Sequence, residues 1–229
     1  MNGKSLFSDL LNAMGQLVVA SLLWSLCCLP IFTIGPACTA LYYSVVKVPR
    51  RDRSNIFEAF FHAFKANFWQ SSNWNLILLG YYGLVAFAMV LRIRSAGGFV
   101  LDTAMGVVFA FVVLGAWMVP YVYPVISRFF HRGLGLFRFI LYIAIRHFLV
   151  TVLSLVLLVA AAVLCLHNSA LLILVPGLYA LIQSFLLEPI FKSLSTDDGS
   201  DNYLEWYADM DPDHWTSRLT GAFRKKAKE

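Results

Sequence analysis

From Leu10 to Val46 the chain runs for 37 residues without a formally charged side chain. Three more such stretches follow: Ala66 to Leu91 (26 residues), Thr103 to Ser127 (25) and His147 to Leu187 (41). A bilayer core about 30 Å thick is crossed by about 20 apolar residues in a helix. The second and third stretches therefore predict one span each, and the first and last are too long for that. Pro30 and Gly35-Pro36 punctuate the first; His167-Asn168-Ser169 splits the last into two helices with a short turn. The pattern predicts an all-α, polytopic membrane protein with five transmembrane helices, at about 15–34, 74–91, 103–126, 148–166 and 170–188. The first span is expected to end near Ile34 at a Gly35-Pro36 corner, with residues 37–46 leading along the cytoplasmic interface.

Between the first two spans, Phe57, Phe60, Phe61, Phe64 and Phe68 recur at the spacing of one helical face, with Glu58, His62 and Lys65 opposite. Ser54-Asn55 offers an N-cap, and Glu58 lies three residues beyond Asn55 as in a capping box. The segment reads as an amphipathic elbow in the cytoplasmic interface, or as a helix packed on the inner end of the bundle. A second copy lies 80 residues on: Phe137 to Phe148 repeats the separation of Phe57 and Phe68, with Ile140, Leu141 and Ala144 in place of Phe60, Phe61 and Phe64. His147 replaces Asn67, and Arg138, Tyr142 and Arg146 form the polar stripe. Span 1 is expected to exit through Pro30 and Pro36, and span 3 through Pro120 and Pro124. The expected fold thus has two cytoplasmic interfacial elbow helices in a parallel internal repeat, plus one unpaired span.

Composition agrees with a membrane setting. Hydrophobic residues make up 59% and charged residues 14%, against about 45–50% apolar in soluble domains. The net charge of +5 is topological in origin. Fifteen Lys and Arg residues follow spans 1, 3 and 5, and only Lys4, Arg92 and Arg94 fall on the other side. This asymmetry predicts an amino terminus outside and a carboxyl terminus in the cytoplasm, and argues against nucleic-acid binding. A cleaved signal is the rival reading of span 1; Asp9 and the length of the apolar run count against it. The four cysteines (Cys27, Cys28, Cys38, Cys165) lie in or beside spans without CxxC spacing and read as packing residues.

Candidate chemistry is sparse. Glu188 lies at the cytoplasmic end of span 5, where it could pair with Arg128 or Arg146 or serve a proton or cation site. Asp102-Thr103 would cap span 3, with Arg92 and Arg94 near enough to pair. Pro176-Gly177 stands near the centre of span 5, where proline frees carbonyls that can line a site. Ser71, Ser72, Asn73, Trp74 and Asn75 make a polar start to span 2, where Trp74 could anchor in the headgroups; Asn67, Gln70, Asn73 and Asn75 could instead cap and link the elbow to the bundle. The histidines are scattered, and no nucleophile motif, phosphate loop or metal spacing is present in the sequence. Positions singled out as functional or structural are Pro30, Gly35, Pro36, Asn67, Pro176, Gly177 and Glu188. Residues 1–192 form one expected membrane domain, and 193–229 an acidic-then-basic cytoplasmic tail expected to be largely disordered.

Leu29-Pro30-Ile31, Thr33-Ile34-Gly35-Pro36-Ala37, Thr39-Ala40-Leu41-Tyr42-Tyr43 and Phe64-Lys65-x-Asn67-Phe68 resemble the YesL-type family of bacterial integral membrane proteins. The similarity is specific in the first 70 residues and mainly hydropathic from there to about 192. It implies a bacterial plasma-membrane protein without established activity, whose genes often neighbour carbohydrate ABC-transport genes. The resemblance carries over no catalytic residue, cofactor or metal ligand. The expectation is a non-enzymatic accessory or assembly factor for carbohydrate uptake, with the lipid bilayer and sugar ABC-transporter subunits as partners. The alternative is a small-solute transporter or channel with its site near the broken fifth span.

Overall fold

The computed structural model describes residues 3–48, 55–94, 99–129 and 133–197, with side chains described for 11–48, 55–93, 106–129 and 133–194. These residues form α1 (Gly3–Cys27), α2 (Ile34–Lys47), α3 (Ile56–Ala66), α4 (Phe68–Arg94), α5 (Phe99–Arg128), α6 (Leu134–Arg146), α7 (Phe148–His167) and α8 (Val175–Asp197). Short 3-10 turns occupy Ile31–Thr33 and Ser169–Ile173. No strand occurs among the described residues, and the all-helical expectation holds. Among the described residues, three segments are long and apolar enough to cross a membrane: Phe68–Ile93, Gly106–Arg128 and Phe148–His167. They match predicted spans 2, 3 and 4. The α1 helix adds a shorter apolar segment, Leu11–Cys27. Helix α5 already begins at Phe99, so Asp102-Thr103 lie inside it and not at its N-cap; Ser54 and the tail beyond Asp197 lie outside what is described.

The first predicted span requires correction. Helix α1 stops at Cys27, not near Ile34. Pro30 has no N–H and disfavours helical backbone at Leu29, so the chain turns out with Pro30 extended at φ −81° and ψ 131°. Gly35 and Pro36 are not the corner; they sit in the first turn of α2, where a missing N–H costs no helical hydrogen bond. Nor does α2 run along an interface. Eleven of its 14 residues are buried, and it contacts α1, α3, α4, α5 and α8. A helix apolar on all sides has nowhere better to go than the middle of a bundle.

Two cores form around this central helix. One joins Tyr42 and Val46 to Tyr121 and Val125 of α5, Phe129 just beyond it, Leu136 and Ile140 of α6, and Leu187 and Phe191 of α8. The other joins Ala40 and Val45 to Leu17 of α1, Phe60 of α3 and Ala180 of α8. By contrast, α4 and α7 expose large apolar side chains outward, including Leu84, Phe87, Val156 and Val163. Such surfaces fit lipid contact better than water.

The α3 and α6 helices are built alike. Ile56, Phe60 and Ala63 are buried in the first; Leu136, Ile140 and Ile143, each 80 residues later, are buried in the second. Phe57 and Phe61 stay half exposed, so the buried face of α3 is turned from the all-phenylalanine stripe read in the sequence. Asn67 ends α3 and His147 ends α6, each passing directly into the next long helix. The Asn67 carbonyl accepts from Ser71 N–H, and the His147 carbonyl accepts from Thr151 N–H. The hydroxyl at each of those positions then reaches the neighbouring bundle: Ser71 meets Thr39 at 2.9 Å, and Thr151 meets Tyr121 at 2.8 Å.

Candidate functional site

Three groups of polar side chains stand out inside the bundle among the described residues. The first surrounds the corner between α1 and α2. Thr33 turns its hydroxyl inward to the carbonyls of Cys27 and Pro30, both at 2.6 Å, satisfying groups that the helix break leaves open. From α4, Asn75 donates to the Ile31 carbonyl at 2.9 Å and Ser72 to the Phe32 carbonyl at 3.2 Å. Gly35 is required by close approach: a Cβ there would lie 2.3 Å from the Ser71 carbonyl oxygen. Pro30, Gly35 and Pro36, together with the polar start of α4, thus form one helix-to-helix lock. Asn67 belongs beside it, its side-chain amide capping the Ala63 carbonyl at 3.1 Å.

The second group is the start of α8. Pro176 and Gly177 do not break a span at its centre, because α8 begins at Val175. Pro176 occupies the first turn, where proline is tolerated. Gly177 N–H donates to the Ser21 hydroxyl of α1 at 2.9 Å, so a neighbouring helix supplies the acceptor that an N-cap side chain normally provides. A Cβ on Gly177 would come within 2.7 Å of the Leu17 carbonyl oxygen. The Pro-Gly pair is a docking point. It is not a kink.

Farther along α8 lies the third group. Arg128 Nε and Nη2 approach Glu188 Oε1 at 2.9 and 2.7 Å, and Tyr42 donates its hydroxyl to the same oxygen at 3.2 Å. The two charged side chains are only 1% and 3% exposed. Of the two partners open to Glu188 in the sequence, the structure selects Arg128; Arg146 is exposed on α6 beside Tyr142. The pair ties the end of α5 to α8 across the ring of Tyr42, over which the guanidinium carbon lies 5.9 Å from the centroid.

Sequence reasoning missed Gln183. The α5 helix runs unbroken through Pro120 and Pro124, which were expected to mark its exit. Pro124 cannot donate to the carbonyl four residues back, which is that of Pro120. Gln183 of α8 fills the gap, its amide donating to Pro120 O at 2.6 Å, while itself 3% exposed. A lone glutamine in an apolar run at a helix facing a proline pair is the signal that could have found it.

Beside these groups is a cavity of about 250 Å³ bordered by α1, α2, α5, α7, the Ser169–Ile173 turn and α8. Pro176, Gln183, Tyr42 and Tyr123 contribute to its wall. No group of three or more His, Cys, Asp or Glu side chains with metal-binding geometry occurs among the described residues.

Residues 17–89 match the family described as Protein of unknown function, DUF624, which includes the YesL-type proteins. The match covers roughly a third of the chain, from α1 through most of α4, and thus the whole corner lock. No curated protein and no solved structure matches the chain.

Proposed function

We propose that this is a five-span protein of the bacterial plasma membrane, non-enzymatic, acting as an accessory or assembly factor of a carbohydrate-uptake transporter. The α1 and α8 helices serve as the first and fifth spans, the amino terminus lies outside, and α3 and α6 form the cytoplasmic elbows of a parallel repeat. The 80-residue agreement in buried positions and in the Asn67 and His147 junctions supports the repeat. The observation that carries the functional reading is the use made of polar groups. Those at the corner, at the start of α8 and in the Arg128–Glu188 pair join helix to helix, whereas Glu58, His62 and Lys65 on α3 and Arg138, Tyr142 and Arg146 on α6 are exposed. Charged stripes on two anchored helices suit recognition of a protein partner. The test is purification of the tagged protein from native membranes grown on inducing sugar. Transporter subunits should co-purify, and charge reversal at Lys65 with Arg138 should release them. Absence of any transporter subunit would sink the proposal.

A second reading, a small-solute transporter, draws support from the cavity beside Pro176. It requires flux in proteoliposomes that falls when Pro176 or Glu188 is substituted. Flux indifferent to both would end it.

A further inference from the structure

We infer that the cavity between α1, α2, α5, α7 and α8 is a binding site for one hydrocarbon chain of a membrane lipid. Its walls are almost wholly apolar, and four of its polar side chains spend their donors on other parts of the protein. Trp24 Nε1 donates to Cys38 Sγ at 3.3 Å, Tyr42 to Glu188, Tyr123 to Asn75 Oδ1 at 3.2 Å, and Gln183 to the Pro120 carbonyl. A sugar entering this space would leave most of its hydroxyls unpaired in an apolar setting. A chain of methylenes has no hydrogen-bonding group to strand and passes from one apolar setting to another.

Size narrows the ligand further. An apolar cavity of about 150 Å³ stays dry and binds benzene. By the same volume per carbon, 250 Å³ accommodates a chain segment of roughly ten carbons. Access is consistent with a lipid source. Ala162 lines the cavity and is also exposed on α7, so the mouth reaches the surface of a helix apolar enough to cross a membrane. A water-borne solute has no such apolar approach.

The inference is independent of the accessory reading, because it is read out on the purified protein with no transporter present. The full chain is placed in nanodiscs of phosphatidylethanolamine and phosphatidylglycerol doped with a phosphatidylglycerol carrying a diazirine near the end of one chain. After irradiation, labelled residues are mapped by mass spectrometry. Label is expected on Leu158, Ala161 and Tyr179 in the cavity, as well as on outward-facing Leu84 and Phe87 of α4. Ala161→Phe and Cys165→Phe, which fill the cavity, should each lower cavity label by about tenfold while leaving α4 label unchanged. A diazirine-bearing glucoside serves as a probe on the unmodified chain, whose folding is not in question, and should leave the cavity unlabelled. Lipid label on α4 without label in the cavity overturns the inference. So does cavity label that survives both substitutions, or labelling there by the glucoside in place of the lipid.

Discussion

Glu188→Ala removes one half of an ion pair whose other half has no route to water. Arg128 and Glu188 are 1% and 3% exposed, and Glu188 Oε1 takes both guanidinium contacts and the Tyr42 hydroxyl. The substitution takes from the buried guanidinium the carboxylate it meets at 2.7 Å beside the ring of Tyr42. Breaking such a pair from one side costs about 3–5 kcal/mol, because the surviving charge keeps its desolvation penalty after losing its carboxylate partner. For a chain of this size that corresponds to a fall in Tm of roughly 6–20 °C. Replacing both partners, as Arg128→Leu with Glu188→Leu, removes charge and desolvation together and should restore most of the loss. Tyr42→Phe deletes one neutral donor and should cost only about 1 kcal/mol. The assay is reversible unfolding in mixed micelles, with thermal loss of monodispersity as a second readout. The coupling between positions 128 and 188 should be at least about 2 kcal/mol. Glu188→Ala within about 1 kcal/mol of the parent protein, or a double variant worse than the sum of its singles, would refute the reasoning.

Gly35→Ala should be as disruptive as a large core change, because the new methyl meets the Ser71 backbone 2.3 Å away and α4 must move off the corner; expression and thermal stability would both fall, and unchanged values would disprove the close approach. Gln183→Leu keeps the volume but leaves the Pro120 carbonyl without the donor Pro124 cannot supply, a loss of about 1–3 kcal/mol by unfolding in micelles. Restoring a helical donor with Pro124→Ala should recover part of it, a gain absent if Gln183 merely fills space. Burial and the adjacent Arg146 hold the His147 imidazole below its ordinary pKa. The folded state therefore binds this proton less readily than the unfolded chain, and stability should decline as pH falls below about 6.5. Hydrogen exchange at the α6–α7 junction reads that decline, and His147→Asn, which copies the Asn67 junction, should flatten it.

Charge-free runs were enough to foresee an apolar setting and most of the helices. Uncharged runs mark α4, α5 and α7 within a few residues because lipid admits long apolar helices and little else. Helices α3 and α6 were legible through periodicity, each having one buried and one exposed face. Periodicity failed at α2. A helix covered on every side has no polar stripe, so its apolar run merged with that of α1 and the Gly35-Pro36 corner was placed some seven residues too late. The proline and glycine positions were visible, yet their roles depended on neighbours distant in the chain. Pro176-Gly177 reads as a broken span until Ser21 and Leu17 are found against it, and Pro124 as an exit until Gln183 is found 2.6 Å from the carbonyl it leaves open. Only tertiary structure could choose Arg128 over Arg146 as the partner of Glu188, since both were equally basic in sequence and burial alone separates them. The cavity lay wholly beyond sequence reading, because its volume is what five helices fail to fill. Membrane insertion is a property of each segment's own side chains, whereas a lock or a cavity belongs to pairs of segments and exists only once they meet.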